Sequence, residues 1–225
     1  MSDTDSFFDE VSEEVRRDAL YAQIRRYGWI AVVAVVAIVG GASWNEFQKA
    51  GQRSAAQATG DTLLAALDTS EAADRSAALA AAQLEAPEAE IVRQLLLGAA
   101  QQEAGEGAAA AATLNAMASN PDTAAAYRDV AAFKAILADS EGLSAADRRA
   151  AFDVLAQPGR PLALLASEQI ALMDVAEGDT EAAISRLQAI LLDAGASAGL
   201  RQRTTQLIVA LGGQPEELPT AAISQ

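Results

Sequence analysis

Cysteine and histidine are both missing from this chain of 225 residues. Without cysteine the chain forms no disulfide bond and no reactive thiolate, and without histidine it lacks the commonest general acid–base catalyst and a frequent zinc ligand. The same two absences exclude Ser–His–Asp and Cys–His catalytic arrangements. We therefore predict no catalytic residues, no cofactor and no metal site, and a protein that is not an enzyme.

Aromatic and basic residues are scarce. Aromatic residues make up 4% of the chain and hydrophobic residues 51%, so alanine and aliphatic side chains provide most of the apolar character. Alanine is the best helix former, whereas sheets draw on aromatic and β-branched residues, so the composition predicts an all-α fold. Lys and Arg number 16 against 31 Asp and Glu, for a net charge of -15. That charge would repel phosphates and argues against a nucleic-acid partner.

The longest apolar segment lies at residues 27–45 and reads YGWIAVVAVVAIVGGASWN. A span from Gly28 to Trp44 measures about 26 Å at about 1.5 Å per residue, which is just long enough to cross a bilayer. Tyr27, Trp29 and Trp44 lie at its ends, and such rings prefer the membrane interface. We predict one transmembrane helix at 27–45. A buried core helix and a cleaved signal peptide are the alternatives.

Basic residues flank this segment unevenly. Four arginines precede it, with Arg25 and Arg26 closest, whereas Lys49 and Arg53 follow it. Positive residues near a span stay in the cytoplasm. This predicts a cytoplasmic tail at 1–26 and, for a bacterial source, a single-pass inner-membrane protein whose C-terminal domain is periplasmic.

Runs of helix-forming residues alternate with short breakers over residues 46–213, which predicts antiparallel helical hairpins. Ser144 is a candidate N-cap, and Asp147 follows it in a capping-box-like position. Residues 214–225 are predicted to be disordered. The breakers are Gly105, Pro121, Pro158, Pro161 and Gly178.

The hairpin region contains an internal repeat in which Gly105 and Gly178 are 73 residues apart. This offset is close to twice the period of about 34 residues of a tetratricopeptide repeat (TPR), plus a small insertion. The chain resembles that motif in two copies. The resemblance implies that small residues let the helices of each hairpin approach closely. The matching positions are Leu97, Gly98, Gly105, Ala110 and Leu114, and then Ala171, Gly178, Ala183 and Leu187.

The order of all these segments resembles one family as a whole. The acidic start DSFFDEV at residues 5–11, the entry RRYGW at residues 25–29 and the TPR-like region are similar to the YfgM-like ancillary subunits of the SecYEG translocon, particularly those of alphaproteobacteria. The resemblance implies a membrane-anchored adaptor that binds the translocon and periplasmic chaperones, with no small-molecule substrate. The alternative is a structural or assembly subunit of another envelope complex, bound through its anchor helix.

The helix faces lead to two further predictions. Leucine and isoleucine at helical spacing, among them Leu165, Ile170 and Leu172, are predicted to be buried. The concave groove of the stacked hairpins is predicted to bind the partner. Candidates for its rim are Tyr127, Arg128, Arg148 and Arg149.

Overall fold

The computed structural model describes residues 3–84, 86–139 and 142–216, without the side chains of residues 3–28, 31, 32 and 87. Within these ranges every helix or strand is an α-helix, which confirms the all-α prediction. In chain order the helices are α1 (Asp3–Leu67), α2 (Ala72–Ala81), α3 (Pro87–Glu103), α4 (Gly107–Ser119), α5 (Ala125–Ala138), α6 (Ala145–Leu155), α7 (Ala163–Ala176), α8 (Thr180–Leu192) and α9 (Ala198–Ala210).

The chain divides into two compact units between Ala58 and Thr59. The first unit is formed by α1 up to Ala58, and the segment 27–45 lies wholly within this helix. Among the described residues, no helix combines the length and the apolar character needed to cross a membrane. The transmembrane span at 27–45 is therefore not confirmed and stays a prediction.

The second unit is a series of helices that pack in chain order. From α2 to α9 each helix packs mainly on the next one, and α3 also contacts α5. Turns of three residues join α3 to α4 and α7 to α8. Such short turns place consecutive helices side by side as αα-hairpins. The unit therefore has the organisation of a helical repeat, while the more specific TPR-like arrangement stays a prediction.

The hydrophobic core of this unit is segmented. Its four main clusters each join three successive helices: α1–α3, α3–α5, α5–α7 and α7–α9. Each cluster holds a large, fully buried side chain, and burying one such side chain stabilises the fold by about 1.5–3 kcal/mol. Each hairpin is thus held mainly by its neighbours. The buried side chains are Leu79, Leu114, Phe152 and Leu187.

Local capping sets where several helices begin. Ser144 starts α6 as predicted: its Oγ accepts a hydrogen bond from the Asp147 N–H at 3.1 Å and donates one to Asp147 Oδ2 at 2.6 Å. Asp179 and Ser197 begin α8 and α9, and each accepts a hydrogen bond from the backbone N–H three residues later. These caps satisfy donors that the first turn of a helix leaves unpaired.

Candidate functional site

The predicted motif positions meet inside the two hairpins. In the α3–α4 hairpin, a Cβ added to Gly98 would lie 2.9 Å from Leu114 Cγ, so the helices approach too closely for any other residue to fit without a shift. In the α7–α8 hairpin, Ala171 and Leu187 occupy the equivalent positions and are both buried. The remaining helical motif positions, Leu97, Ala110 and Ala183, are buried as well.

Gly105 and Gly178 end the first helix of each hairpin in the same conformation. Their φ angles are 79° and 83°, in the left-handed region that favours glycine. In both turns the glycine N–H bonds to the carbonyl three residues before it, and the next N–H bonds to the carbonyl five residues before it. This is the hydrogen-bond pattern of a Schellman C-cap.

A third copy of this turn lies at Gly212, where sequence reasoning recognised only the end of the last helix. Gly212 has a φ of 81° and the same two hydrogen bonds. Gly178 and Gly212 are 34 residues apart, which is the period of the TPR motif. The signal was therefore present in the sequence as a glycine one period after Gly178.

A polar contact also recurs across both hairpins. Gln101 on α3 accepts a hydrogen bond from Thr113 on α4, with 2.9 Å between Oε1 and Oγ1. Asp174 on α7 accepts one from Arg186 on α8, with 3.1 Å between Oδ2 and Nε. Both residues of the second pair lie 73 residues after those of the first. The repeat thus preserves the position of the contact while changing its chemistry.

Asp174 is the centre of an ion-pair cluster that joins three helices. Its side chain is only 6% exposed and bonds to Arg186 on α8 and to Arg149 on α6, which also bonds to Glu177. Burial alone would raise the pKa of Asp174, but hydrogen bonds from Arg149 and Arg186 and their positive charges outweigh it and lower the pKa below the ordinary 3.8. Asp174 is therefore charged at neutral pH and ties α6, α7 and α8 together.

A groove of about 630 Å³ lies between α5, α7 and α9. These are the first helices of successive hairpins, so the groove follows the direction in which the hairpins stack. Its apolar lining comes from Phe133 on α5, Leu165 and Leu172 on α7, and Leu207 and Ala210 on α9. Leu172 is 40% exposed in this groove, so the prediction that it is buried is wrong.

The charged groups that line this groove form a closed pair. Arg203 Nε and Nη2 donate to the two carboxylate oxygens of Glu168 at 2.9 and 2.8 Å. The Glu168 side chain is 7% exposed, so the guanidinium is what satisfies an otherwise buried carboxylate. The pair links α7 to α9 and leaves the floor of the groove without an uncompensated charge.

Two glutamine side chains, Gln169 on α7 and Gln206 on α9, also line the groove. Neither amide is hydrogen-bonded to another residue in the part of the chain that the structure describes. A third glutamine, Gln188 on α8, shows what such an amide can do. Its Nε2 donates to the carbonyl of Gln214 at 2.6 Å and its Oε1 accepts from the N–H of Glu216 at 3.0 Å. The rest of the predicted disordered tail, 217–225, lies outside the described residues.

The residues predicted for the rim of a groove lie elsewhere. The lining of the α5–α7–α9 groove includes none of them. Arg149 belongs to the Asp174 cluster, Arg148 bonds to the carbonyl of Leu143, and Arg128 bonds to the carbonyl of Thr123. Arg148 and Arg149 are on α6, the second helix of its hairpin, which explains why they point away from a groove formed by first helices.

The predicted membrane-interface residues lie in the first unit. The side chains of Arg25, Arg26 and Tyr27 are outside the described residues, whereas those of Trp29 and Trp44 are exposed. Between the two tryptophans, the large apolar side chains that the structure describes are all exposed. These side chains are Ile30, Val33, Val35, Val36, Ile38 and Val39.

Within the described residues, no group of three or more His, Cys, Asp or Glu could hold a metal ion. Comparison with protein-family models, with curated proteins and with solved structures gives no match to this chain.

Proposed function

We propose that this protein is a membrane-anchored, TPR-like adaptor that binds other proteins and links the Sec translocon to periplasmic chaperones. The observation that supports protein binding is the groove between α5, α7 and α9. Helical-repeat proteins bind their partners on the extended surface that stacked hairpins create. The groove has an apolar lining and two free amides, which suits a polypeptide segment better than a small charged metabolite.

The anchor is supported by the first unit. Its valine and isoleucine side chains between Trp29 and Val39 are at least 47% exposed. Moving such a side chain from water into an apolar environment is favourable by about 1.5–3 kcal/mol when burial is complete. A bilayer provides that environment, and the arginines before residue 27 favour a cytoplasmic N-terminus. The proposed location is the inner membrane, with the second unit in the periplasm.

The choice of partners is supported by resemblance. The segments DSFFDEV and RRYGW, followed by a TPR-like region, are similar to the ancillary translocon subunits. The resemblance covers residues 1–213, which include both the anchor and the hairpins. No catalytic role is proposed, because the chain has neither histidine nor cysteine.

The test is co-purification from mildly solubilised membranes. Full-length tagged protein is compared with a protein that lacks residues 1–50, and recovered SecY, SecE and periplasmic chaperones are quantified. We expect the translocon subunits with the full-length protein and their loss on truncation, while chaperones remain bound to the second unit. Enrichment of another envelope complex, with translocon subunits at background level, would contradict the proposal.

The exposed apolar side chains of α1 also favour one alternative. A helix of this kind can bind the transmembrane helices of another inner-membrane or envelope complex, in which case the protein is a structural or assembly subunit. That alternative predicts that residues 1–50 alone recover the complex. The adaptor proposal predicts that residues 1–50 do not recover the chaperones.

A further inference from the structure

We infer that the groove between α5, α7 and α9 binds an extended polypeptide segment with apolar side chains and a Lys or Arg at the end beside the helix C-termini. This inference rests on the proposed protein-binding function and specifies the chemistry of the bound segment. It depends on three features of the groove: its apolar lining, its free amides and the charges at its two ends.

The lining calls for apolar side chains in the partner. Phe133, Leu165 and Leu172 form one side, and Leu207 and Ala210 the other. The Glu168–Arg203 pair lies between them and is closed by two hydrogen bonds. A partner charge placed on this pair would gain little, because each ion already has its counter-ion. Apolar contacts therefore supply the binding energy along the middle of the groove.

The free amides of Gln169 and Gln206 favour an extended backbone. An α-helix uses its own N–H and C=O groups internally, whereas an extended segment offers both to a neighbour. Gln188 already holds such a segment: it bonds to the carbonyl of Gln214 and to the N–H of Glu216. The same two-point contact is open to Gln169 and Gln206 in the groove.

The charge requirement comes from the direction of the helices. Consecutive helices of hairpins run in opposite directions, so α5, α7 and α9 run in the same direction and their C-termini lie at one end of the groove. Helix C-termini carry a partial negative charge. No basic residue lies in the last turn of any of these three helices. Asp139 and Glu177 are their C-caps in α5 and α7, and Arg149 pairs only with Glu177 of these two.

The opposite end differs, because Arg203 lies in the first half of α9 and bonds to Glu168 in the first half of α7. A cationic group is therefore favoured at the C-terminal end and has no comparable site at the other. The overall charge of -15 acts in the same sense, since it attracts basic segments and repels acidic ones.

The test uses the full-length protein in nanodiscs and two fluorescein-labelled peptides. Both peptides alternate Leu and Ala; one ends in Lys-Lys and the other in Glu-Glu. Fluorescence anisotropy should give a Kd roughly tenfold lower for the Lys-Lys peptide. Equal affinity for the two peptides, or no binding of either at millimolar concentration, would overturn the inference.

Matched variants separate the groove from general charge attraction. Leu172→Asp places a charge in the groove, and Leu192→Asp adds the same charge on α8, where the leucine is equally 40% exposed. We expect Leu172→Asp to weaken the Lys-Lys peptide by about tenfold or more, and Leu192→Asp by less than about twofold. Equal effects of the two variants would show that binding occurs outside the groove.

A second pair of variants tests the charged end. Ala176→Lys adds a positive charge in the last turn of α7, and Gln202→Lys adds it one turn before Gln206 on α9; both positions are exposed. The first variant should weaken the Lys-Lys peptide more than the second, and the opposite order would contradict the placement of the cation. If co-purification of translocon and chaperone succeeds while these peptide results fail, the proposed function stands and only the segment chemistry is wrong.

Discussion

Arg149 Nη1 donates a hydrogen bond to Asp174 Oδ1 at 2.7 Å and thereby joins α6 to α7. Arg186 on α8 bonds to the other carboxylate oxygen of Asp174. One side chain thus holds three helices, and its charge is balanced by guanidinium groups from both neighbouring helices. This arrangement makes the stability of the second unit depend on the ionisation of Asp174.

The pH dependence follows from the direction of the pKa shift. The pKa of Asp174 is lowered below 3.8 in the folded protein because hydrogen bonds and charges of Arg149 and Arg186 outweigh the effect of burial. The stabilisation is therefore complete above the ordinary value and is lost as pH falls through the folded-state pKa. We expect the free energy of unfolding, measured by urea titration from neutral pH to about pH 3, to fall less steeply in Asp174→Asn than in the unmodified protein.

The same substitution has an effect at neutral pH. Asp174→Asn keeps the shape of the side chain but removes its charge, which should lower the free energy of unfolding by about 1–3 kcal/mol. Asp153→Asn is the matched control, because Asp153 is exposed on α6. An equal effect of the two substitutions would contradict a role for the cluster in stability.

The left-handed turn at Gly178 predicts two substitutions of opposite sign. Gly178→Ala places a Cβ where φ is 83° and should destabilise the protein by about 1–2 kcal/mol. Gly60→Ala lies in the helical part of α1, where an added Cβ meets no atom within 4 Å, and should stabilise it by about 0.5–1 kcal/mol. Thermal unfolding followed by circular dichroism measures both. A stabilising Gly178→Ala would show that the turn does not require a left-handed residue.

Gly98 provides a test of helix packing. Gly98→Ala places a Cβ 2.9 Å from Leu114 Cγ, and Leu114 is too buried to move away freely, so we expect a loss of about 1–3 kcal/mol. The penalty should shrink when Leu114 is replaced by Ala, because the clashing atoms are then absent. A double-mutant cycle measures this coupling. Additive effects would show that the two residues do not meet.

Gln188 predicts a local change without global unfolding. Gln188→Ala removes both hydrogen bonds to the segment 214–216, so the backbone amide of Glu216 loses its acceptor. Hydrogen exchange at Glu216 should become faster, while exchange in the buried turns of α8 remains unchanged. Gln157→Ala, at an exposed glutamine in the loop before α7, is the control. Unchanged exchange at Glu216 would mean that this contact is not maintained in solution.

Local signals in the sequence predict much of the fold. Ser144 begins a helix and Gly105 and Gly178 end helices as expected, because capping and left-handed turns depend on a few neighbouring residues. The 73-residue repeat also places Gly98 and Leu114 in one hairpin and Ala171 and Leu187 in the other. The transmembrane span and the partners stay predictions.

The groove could not be predicted in detail. Helical periodicity identifies an apolar face but does not say whether another helix covers it, so Leu172 was expected to be buried although it lines an open groove. Ion pairs between distant residues are similarly hidden. Arg203 and Glu168 are 35 residues apart, and nothing in their spacing distinguishes this pair from other combinations of opposite charges. The rim arginines were misplaced for the same reason.

The segmented core has a consequence for synthesis of the chain. Because each cluster joins only three successive helices, a hairpin finds nearly all of its partners within the polypeptide that immediately precedes and follows it. Such short-range contacts close small loops and favour rapid folding. The second unit can therefore fold stepwise as it emerges from the ribosome or crosses a membrane, N-terminal hairpin first, without waiting for its C-terminus.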